Sequence, residues 1–530
     1  MTQVHFDSEA QLGGDGSRAR PYRGPADLPV PYTLAPGTDY RFRCGRRWNF
    51  AASLRSPKFA KAPITVGSYG AGPRPLIECY RMLARDECVE VEMRRGSGEI
   101  TTTPAAGTGL WRVPATFLGL YGGSVWGVAR DVTGAISGTA SALQAPREYT
   151  AATTDGGQYR VVWAERNPVD AYGGLFASAM SHAAHKTADT NRCIYALQAY
   201  HGFHVDGLEF AHCFGATYLT AGNPLPEYAL QRGNSVTDCL VRHAFTGFCW
   251  GGGDSVAFGG KGFADLMCAD NEGSNLGKSF IDIAYSSASV RLDDARIVRN
   301  ACSGFGRAVS TGGIYIARCY TPGARVLVER NTMTGGAAGN VWPHDGHAIY
   351  QERGAQNIEF RRNHVSDCQR AYIANASGPD VLFTGNIAVA PRGLADGDSK
   401  AFTGSQPTTD SEVAWRSNIA VGYRRFLAAP QGGVLGRYTV EANVSRCELE
   451  SGGVNSATNT NALRVGGHDP AHLIVRGNAF WGHDAQVFDG ETWNDSPVVV
   501  DRIDDDPADM IARLPHAAVP HYARNLGETP

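Results

Sequence analysis

Seven stretches in the second half of the chain decide its fold once they are aligned on one asparagine: ARIVRNAC (295–302), ARVLVERNTM (324–333), QNIEFRRNHV (356–365), PDVLFTGNIA (379–388), SEVAWRSNIA (411–420), RYTVEANVS (437–445) and HLIVRGNAF (472–480). The anchors are Asn300, Asn331, Asn363, Asn386, Asn418, Asn443 and Asn478. Three positions before each stands an apolar residue (Ile297, Val328, Phe360, Phe383, Trp415, Val440, Val475). Five before stands another (Ala295, Val326, Ile358, Val381, Val413, Tyr438, Leu473). A spacing of two puts both on one face of a strand. Two positions after the anchor a small or apolar residue returns, as Cys302, Met333, Val365, Ala388, Ala420, Ser445 or Phe480, so the chain turns a corner and faces inward again. Anchors recur every 23 to 35 residues, the period of a solenoid coil with insertions rather than of a propeller blade. Asparagine suits such a corner because it tolerates left-handed backbone and its amide can bond to equivalent amides in neighbouring coils. Upstream, the same pattern places Asn234, Asn271 and, in GLEFAHCFG, Cys213 at the anchor.

Composition agrees. The 530 residues include 64 glycines, while charged residues make up only 19%, against about 25% in ordinary domains. That argues against a compact helical protein. Hydrophobic residues at 43% and aromatics at 10% supply a large core, which excludes a disordered chain. A net charge of -3 and a pI near 6.6 leave no general electrostatic footprint for nucleic acid or an anionic membrane, so neither is expected as a partner. No apolar run reaches the length of a membrane-crossing helix. The N-terminus, MTQVHFDSEAQLGG, lacks the basic start and apolar run of a signal peptide. The twelve cysteines form no CxxC, and most are expected to be buried free thiols.

With the repeat in place, the sequence resembles the right-handed parallel β-helix superfamily, the pectate-lyase-like fold of polysaccharide lyases, some glycosidases, uronan epimerases and phage tailspikes. The repeat carries the resemblance over roughly residues 190–490. It extends to the front through YTLAPGTDYRFRCGRRWNFAASLRSPKFAKAPITVGSYGAGPRPLIE (32–78), which looks like that superfamily's opening coil, with Thr38 as one extra residue before Asp39. The expected fold is an all-β solenoid with an inserted antiparallel β subdomain and a short C-terminal cap. Residues 1–84 form the N-terminal segment and first coils, 85–185 the insertion, 186–500 the main helix and 501–530 the cap. QYRVVWAE alternates as a strand within the insertion. The resemblance implies a carbohydrate substrate and an extracellular or virion-associated location, and it allows a homotrimer.

Chemistry is expected on an outer wall, because side chains at equivalent positions of successive coils stack about 4.8 Å apart. Aligning the strands before the anchors on their inward pairs (Ile281 and Ile283, Ile314 and Ile316, Ile349 and Gln351, Tyr372 and Ala374) puts Asp282, Tyr315, Tyr350 and Ile373 in one solvent-facing column. Ala284, Ala317, Glu352 and Asn375 form the next. The surplus residues within AAGNVWPHDGHA (337–348) are expected to bulge outward and bring Trp342, His344, Asp345 and His347 to the rim, where an aromatic flanked by polar groups suits a sugar ring.

Two reactions compete. For β-elimination on a uronate, His347, Tyr350 or Tyr315 serves as base or acid, with Arg353, Arg318 or Lys278 neutralising the carboxylate. For hydrolysis of tailspike type, Asp282 and Glu352 lie two coils apart, roughly 9.6 Å, the spacing of an inverting pair. Elimination is preferred because the cluster is rich in His, Tyr and Arg and holds no close carboxylate pair. A non-catalytic carbohydrate-binding spike is the reading from another class. Each tyrosine alone is ordinarily just a good strand former. His344, Asp345 and His347 lack a clear further ligand for a metal. The acidic run Asp504–Asp506 leaves Ca2+ as the one cofactor to consider.

Overall fold

The computed structural model describes residues 1–57 and 60–90, strand segments between 109 and 178, and the strands and several turns of 192–481. The proposed cap, with Asp504–Asp506, lies outside the described residues. The chain divides into two compact units, Met1–Ala288 with Cys302–Gly313 and Ala337–Gly346, and Ser289–Ala301 with Ile314–Gly336 and His347–Pro530.

Each unit is built of coils whose strands pair in parallel with the same strand of the next coil. In the second unit the anchor strands run Val326–Glu329, Ile358–Arg361, Val381–Thr384, Glu412–Arg416, Arg437–Glu441 and Leu473–Arg476, each in register with the one before. Two further parallel sheets complete every coil. The first unit repeats this from Thr2–Phe6 through Thr38–Arg43 and Ile64–Tyr69 to Phe203–Asp206. Its residues 80–178 contribute antiparallel strands. Tyr80–Met82 pairs with Leu175–Ser178, and Arg160–Ala164, the strand expected from QYRVVWAE, pairs with Gly109–Val113. Among the described residues no helix is long and apolar enough to cross a membrane.

The expected inward positions are inward. Ile297, Val328, Phe360, Phe383, Trp415 and Val440 are all fully buried, as are Val326, Ile358, Val381, Val413 and Tyr438. In register, Phe360 stacks on Phe383 with ring centroids 4.8 Å apart, and Phe383 on Trp415 at 5.9 Å. Offset stacks of this kind add about 0.5–1.5 kcal/mol each beyond the area they bury.

The anchors form a buried hydrogen-bonded ladder. Oδ1 of Asn386 accepts the backbone N–H of Asn363 at 3.0 Å and its Nδ2 at 3.0 Å, while Nδ2 of Asn386 donates to Oδ1 of Asn418 at 3.0 Å and to the carbonyl of Phe360 at 2.8 Å. The same pattern joins Asn300 to Asn331, Asn331 to Asn363, Asn418 to Asn443 and Asn443 to Asn478. Satisfying every polar atom is what allows an amide to sit where the core leaves no water.

The corner differs from the sequence reading in two respects. The left-handed residue is the one before the asparagine: Arg299, Arg330, Arg362, Gly385, Ser417 and Ala442 have φ between 53° and 63°. The asparagine is therefore selected for its amide, not for its tolerance of positive φ. Second, Asn234 and Cys213 sit at other corners of their coils, Asn234 before Ser235–Thr237 and Cys213 before Gly215–Ala221. The anchor column of those coils is filled by Leu208 and Cys239, and Cys239 donates its N–H to Oδ1 of Asn271 at 3.0 Å. All three corners share a left-handed residue followed by a short strand, so the local pattern does not tell them apart.

Ala442 is exposed and pays the left-handed cost with a Cβ that Gly385 lacks. Ala442→Gly is expected to stabilise the protein by about 0.5–1 kcal/mol, read as a higher thermal midpoint. The described cysteines are all free and, apart from Cys44, buried. Burial pushes the thiols of Cys239 and Cys368 up to about 12 and that of Cys88 to about 11. Peptide-mapped iodoacetamide labelling of the native protein at pH 8 is therefore expected to modify Cys44 and to spare Cys79, Cys239 and Cys368 until denaturant is added.

Candidate functional site

The wall proposed for chemistry is the outer face of the sheet that holds Ile314–Ala317, His347–Glu352 and Arg370–Asn375. In the second unit, Ile314–Ala317, His347–Glu352 and Arg370–Asn375 are consecutive parallel strands. Tyr315 is in register with Tyr350 and Tyr350 with Ile373, while Ala317, Glu352 and Asn375 form the neighbouring column. Ile314, Ile316, Ile349 and Gln351 are buried, so Tyr315 and Tyr350 between them face outward, half-buried. The two tyrosine rings lie 5.2 Å apart, and the His347 ring meets Tyr350 edge-on at 5.0 Å. Spacing by one coil brings the tyrosines together, and the three-residue step along one strand brings in the histidine. Of Glu352 and Asn375 only the backbone is described. Arg318, Trp342, His344, Asp345 and Arg353 lie outside the described residues.

Asp282 departs from expectation. It belongs to the first unit, in a column with Tyr195, Tyr218 and Cys249. All four are buried rather than solvent-facing. Lys278, four residues earlier, places Nζ 2.8 Å from Oδ2 of Asp282, while Oδ1 is buried with no hydrogen bond among the described residues. Lys278 is thus committed to an internal ion pair and is not available as a neutraliser for a substrate carboxylate. Arg192 is buried beside the same column, its guanidinium 4.6 Å from the Phe214 ring centroid and 5.6 Å from that of Tyr218. Alternation gives the side of the strand on which Asp282 stands; what covers that side is tertiary, and no local pattern reports it.

A row of basic residues escapes an alignment built on strand alternation. His347 is in register with Arg370, Arg370 with Lys400 and Lys400 with Arg425, one basic residue per coil about 4.8 Å apart. Arg370 and Lys400 are half-buried; His347 and Arg425 are buried. They open the segments HAIY, RAYI, KAFT and RFLA. In each, the next residue (Ala348, Ala371, Ala401, Phe426) is buried, and so is the one after it. Two buried residues in succession break the period of two, so an alignment built on alternation starts one step too late to see the basic position. The shared pattern of a cation followed by two apolar or small residues was the available signal.

No protein-family model matches the sequence, and no curated protein does. Among solved structures, the chain is similar to a GH136 lacto-N-biosidase from Eubacterium ramulus, with 12% identity over 90% of this chain and 67% of that one, at a TM-score of 0.45. It is also similar to a rhamnogalacturonan lyase, with 10% identity over 90% and 87% and a TM-score of 0.32. A third is the Gp54 tailspike of Acinetobacter baumannii bacteriophage AP22, with 8% identity over 84% and 69% and a TM-score of 0.19. Likenesses this distant carry no argument about activity. By the pairing of its own strands, the chain is built as a parallel β-helix solenoid.

Proposed function

We propose that the protein is a depolymerase of an acidic, uronate-containing extracellular polysaccharide and that it works by β-elimination. The observation that carries this reading is the contact of Tyr350 with both His347 and Tyr315, beside a basic row that continues from His347 through Arg370 and Lys400. Elimination needs a base for the proton alpha to the carboxylate, positive charge where that carboxylate gathers electrons, and an acid for the departing glycosidic oxygen. His347 and Tyr350 are the proton-transfer pair in this proposal. One takes the alpha proton, the bond to the leaving oxygen breaks as the carbon–carbon double bond forms, and the other returns a proton to that oxygen. Arg370 and Lys400 hold the carboxylate, the role first assigned to Arg353, Arg318 or Lys278.

Hydrolysis fits less well, because it asks Asp282 to act while its carboxylate is engaged by the Lys278 ammonium at 2.8 Å. The test is incubation with a panel of polyuronates, following both ultraviolet absorbance and reducing ends. Elimination is expected to raise both together, since only it makes a conjugated unsaturated uronate. Reducing ends without absorbance would replace the proposal with hydrolysis, and binding without shortening would replace it with a non-catalytic spike.

A further inference from the structure

The N-terminal end of the first unit holds a cavity that the wall does not use. It has a volume of about 520 Å³ and is lined by the loop of residues 10–14 and 18–21 together with Asp7, Arg43, Tyr69 and Gly70. That is within the range of small-ligand sites, about 300–1,000 Å³.

The loop that forms it is tied down at many points. The His5 N–H donates to the Gly16 carbonyl at 2.8 Å, Tyr22 N–H to the His5 carbonyl at 3.0 Å, and Asp7 N–H to the Tyr22 carbonyl at 2.9 Å. Asp15 N–H and Gly16 N–H both donate to the Arg20 carbonyl, and Arg20 Nη2 donates to the Gly13 carbonyl at 2.9 Å. Gly14 passes so close to Pro21 that an added Cβ would lie 2.1 Å from its carbonyl oxygen. The cavity is therefore held by backbone bonds rather than left to loose side chains.

Its charge is unbalanced. Three arginines, Arg18, Arg20 and Arg43, line it against the single acid Asp7. Asp7 is already neutralised: Arg43 engages Oδ2, while Arg46 Nε at 3.0 Å and the Glu9 N–H at 3.1 Å engage Oδ1. Arg20 meets Asp15 at 3.5 Å in an exposed pair of the kind worth little in water. Among the described residues, neither Arg18 nor the Tyr69 hydroxyl has a hydrogen-bond partner. Burial first, and the Asp7 charge second, raise the Tyr69 phenol above its ordinary value, so it is a protonated donor at neutral pH. His5, whose ring packs edge-on to Tyr69 at 4.9 Å, is pushed down by burial and adds no positive charge there.

We propose that this cavity is a second ligand site, distinct from the wall, which binds a sugar-sized oxyanion through the Arg18 guanidinium and the Tyr69 hydroxyl. A guanidinium fork takes carboxylate or phosphate oxygens in the same two-point manner, so the shared chemistry is an acidic sugar, either a uronate or a sugar phosphate. The site involves no residue of the proposed elimination and stands whether or not that reading holds.

Hydrogen exchange on the full chain, with trigalacturonate, glucose 6-phosphate, neutral maltotriose and inorganic phosphate as separate probes, tests it. Trigalacturonate or glucose 6-phosphate is expected to slow exchange in the peptide covering residues 8–21, and the arm that does so names the oxyanion. Arg18→Gln and Tyr69→Phe, substitutions at the cavity's edge with no internal bond to lose, should each weaken that protection at least tenfold in probe concentration. The proposal is overturned if neither acidic sugar protects the loop, if maltotriose or inorganic phosphate protects it equally, or if both variants respond as wild type does.

Discussion

Tyr350→Phe is expected to lower kcat on the cleaved polyuronate by about 100- to 10,000-fold, the contribution of one positioned proton-transfer group. KM and the thermal midpoint should stay near their wild-type values. The ring of Tyr350 keeps its contacts with Tyr315 and His347 in the phenylalanine variant, so packing is conserved and only the hydroxyl is lost. A fall in kcat with KM unchanged would place that hydroxyl in the transition state, whereas a rise in KM alone would make it a binding group. Arg370→Gln should show the other behaviour as well, with KM rising along with the loss of kcat, because a carboxylate partner acts in both ground and transition states. Wild-type turnover in Tyr350→Phe would remove the residue from the mechanism.

The second large effect is on stability. Asn386→Ala is expected to cost on the order of 4 kcal/mol or more. The substitution removes four hydrogen bonds: the Asn363 N–H loses its acceptor, Asn363 Nδ2 keeps only its bond to the Val328 carbonyl, the Phe360 carbonyl loses a donor, and Asn418 Oδ1 keeps only the residue 386 backbone N–H. Each orphaned buried polar group costs about 1–3 kcal/mol, partly relieved by relaxation. Denaturant unfolding followed by circular dichroism measures it. A loss below about 1 kcal/mol would mean that the ladder is bookkept by water or backbone adjustment, contrary to the closed pattern of bonds along Asn300 to Asn478.

How much of this could be read from residues alone differs from element to element. The inward pairs around Phe360, Phe383 and Trp415 were legible because strand alternation and burial obey one rule, and the period of the anchors then gave the coil. The chemistry of the corner was only half legible. Asparagine marked the turn, but the left-handed strain falls one residue earlier, on Arg330 or Ala442, where composition carries no signature. Asn234 and Cys213 stand at other corners than their local pattern implies, because all three corners use the same short grammar and only pairing between coils separates them.

On the wall, the register of Tyr315 with Tyr350 followed from alternation. The basic row did not, because paired buried residues such as Ala371 and Tyr372 interrupt the period at the strand start. The burial of Asp282 depends on what packs over its column and on the reach of Lys278, which no spacing encodes.

The most direct test of the proposed chemistry is a crystal structure of Tyr350→Phe soaked with a trimer of whichever uronate the wild-type protein cleaves. A sugar carboxylate is expected within hydrogen-bond distance of Arg370 or Lys400, with the alpha carbon of the same ring facing His347. A trimer bound with its carboxylates away from that row, or its glycosidic bond remote from the rings of His347 and residue 350, would contradict it.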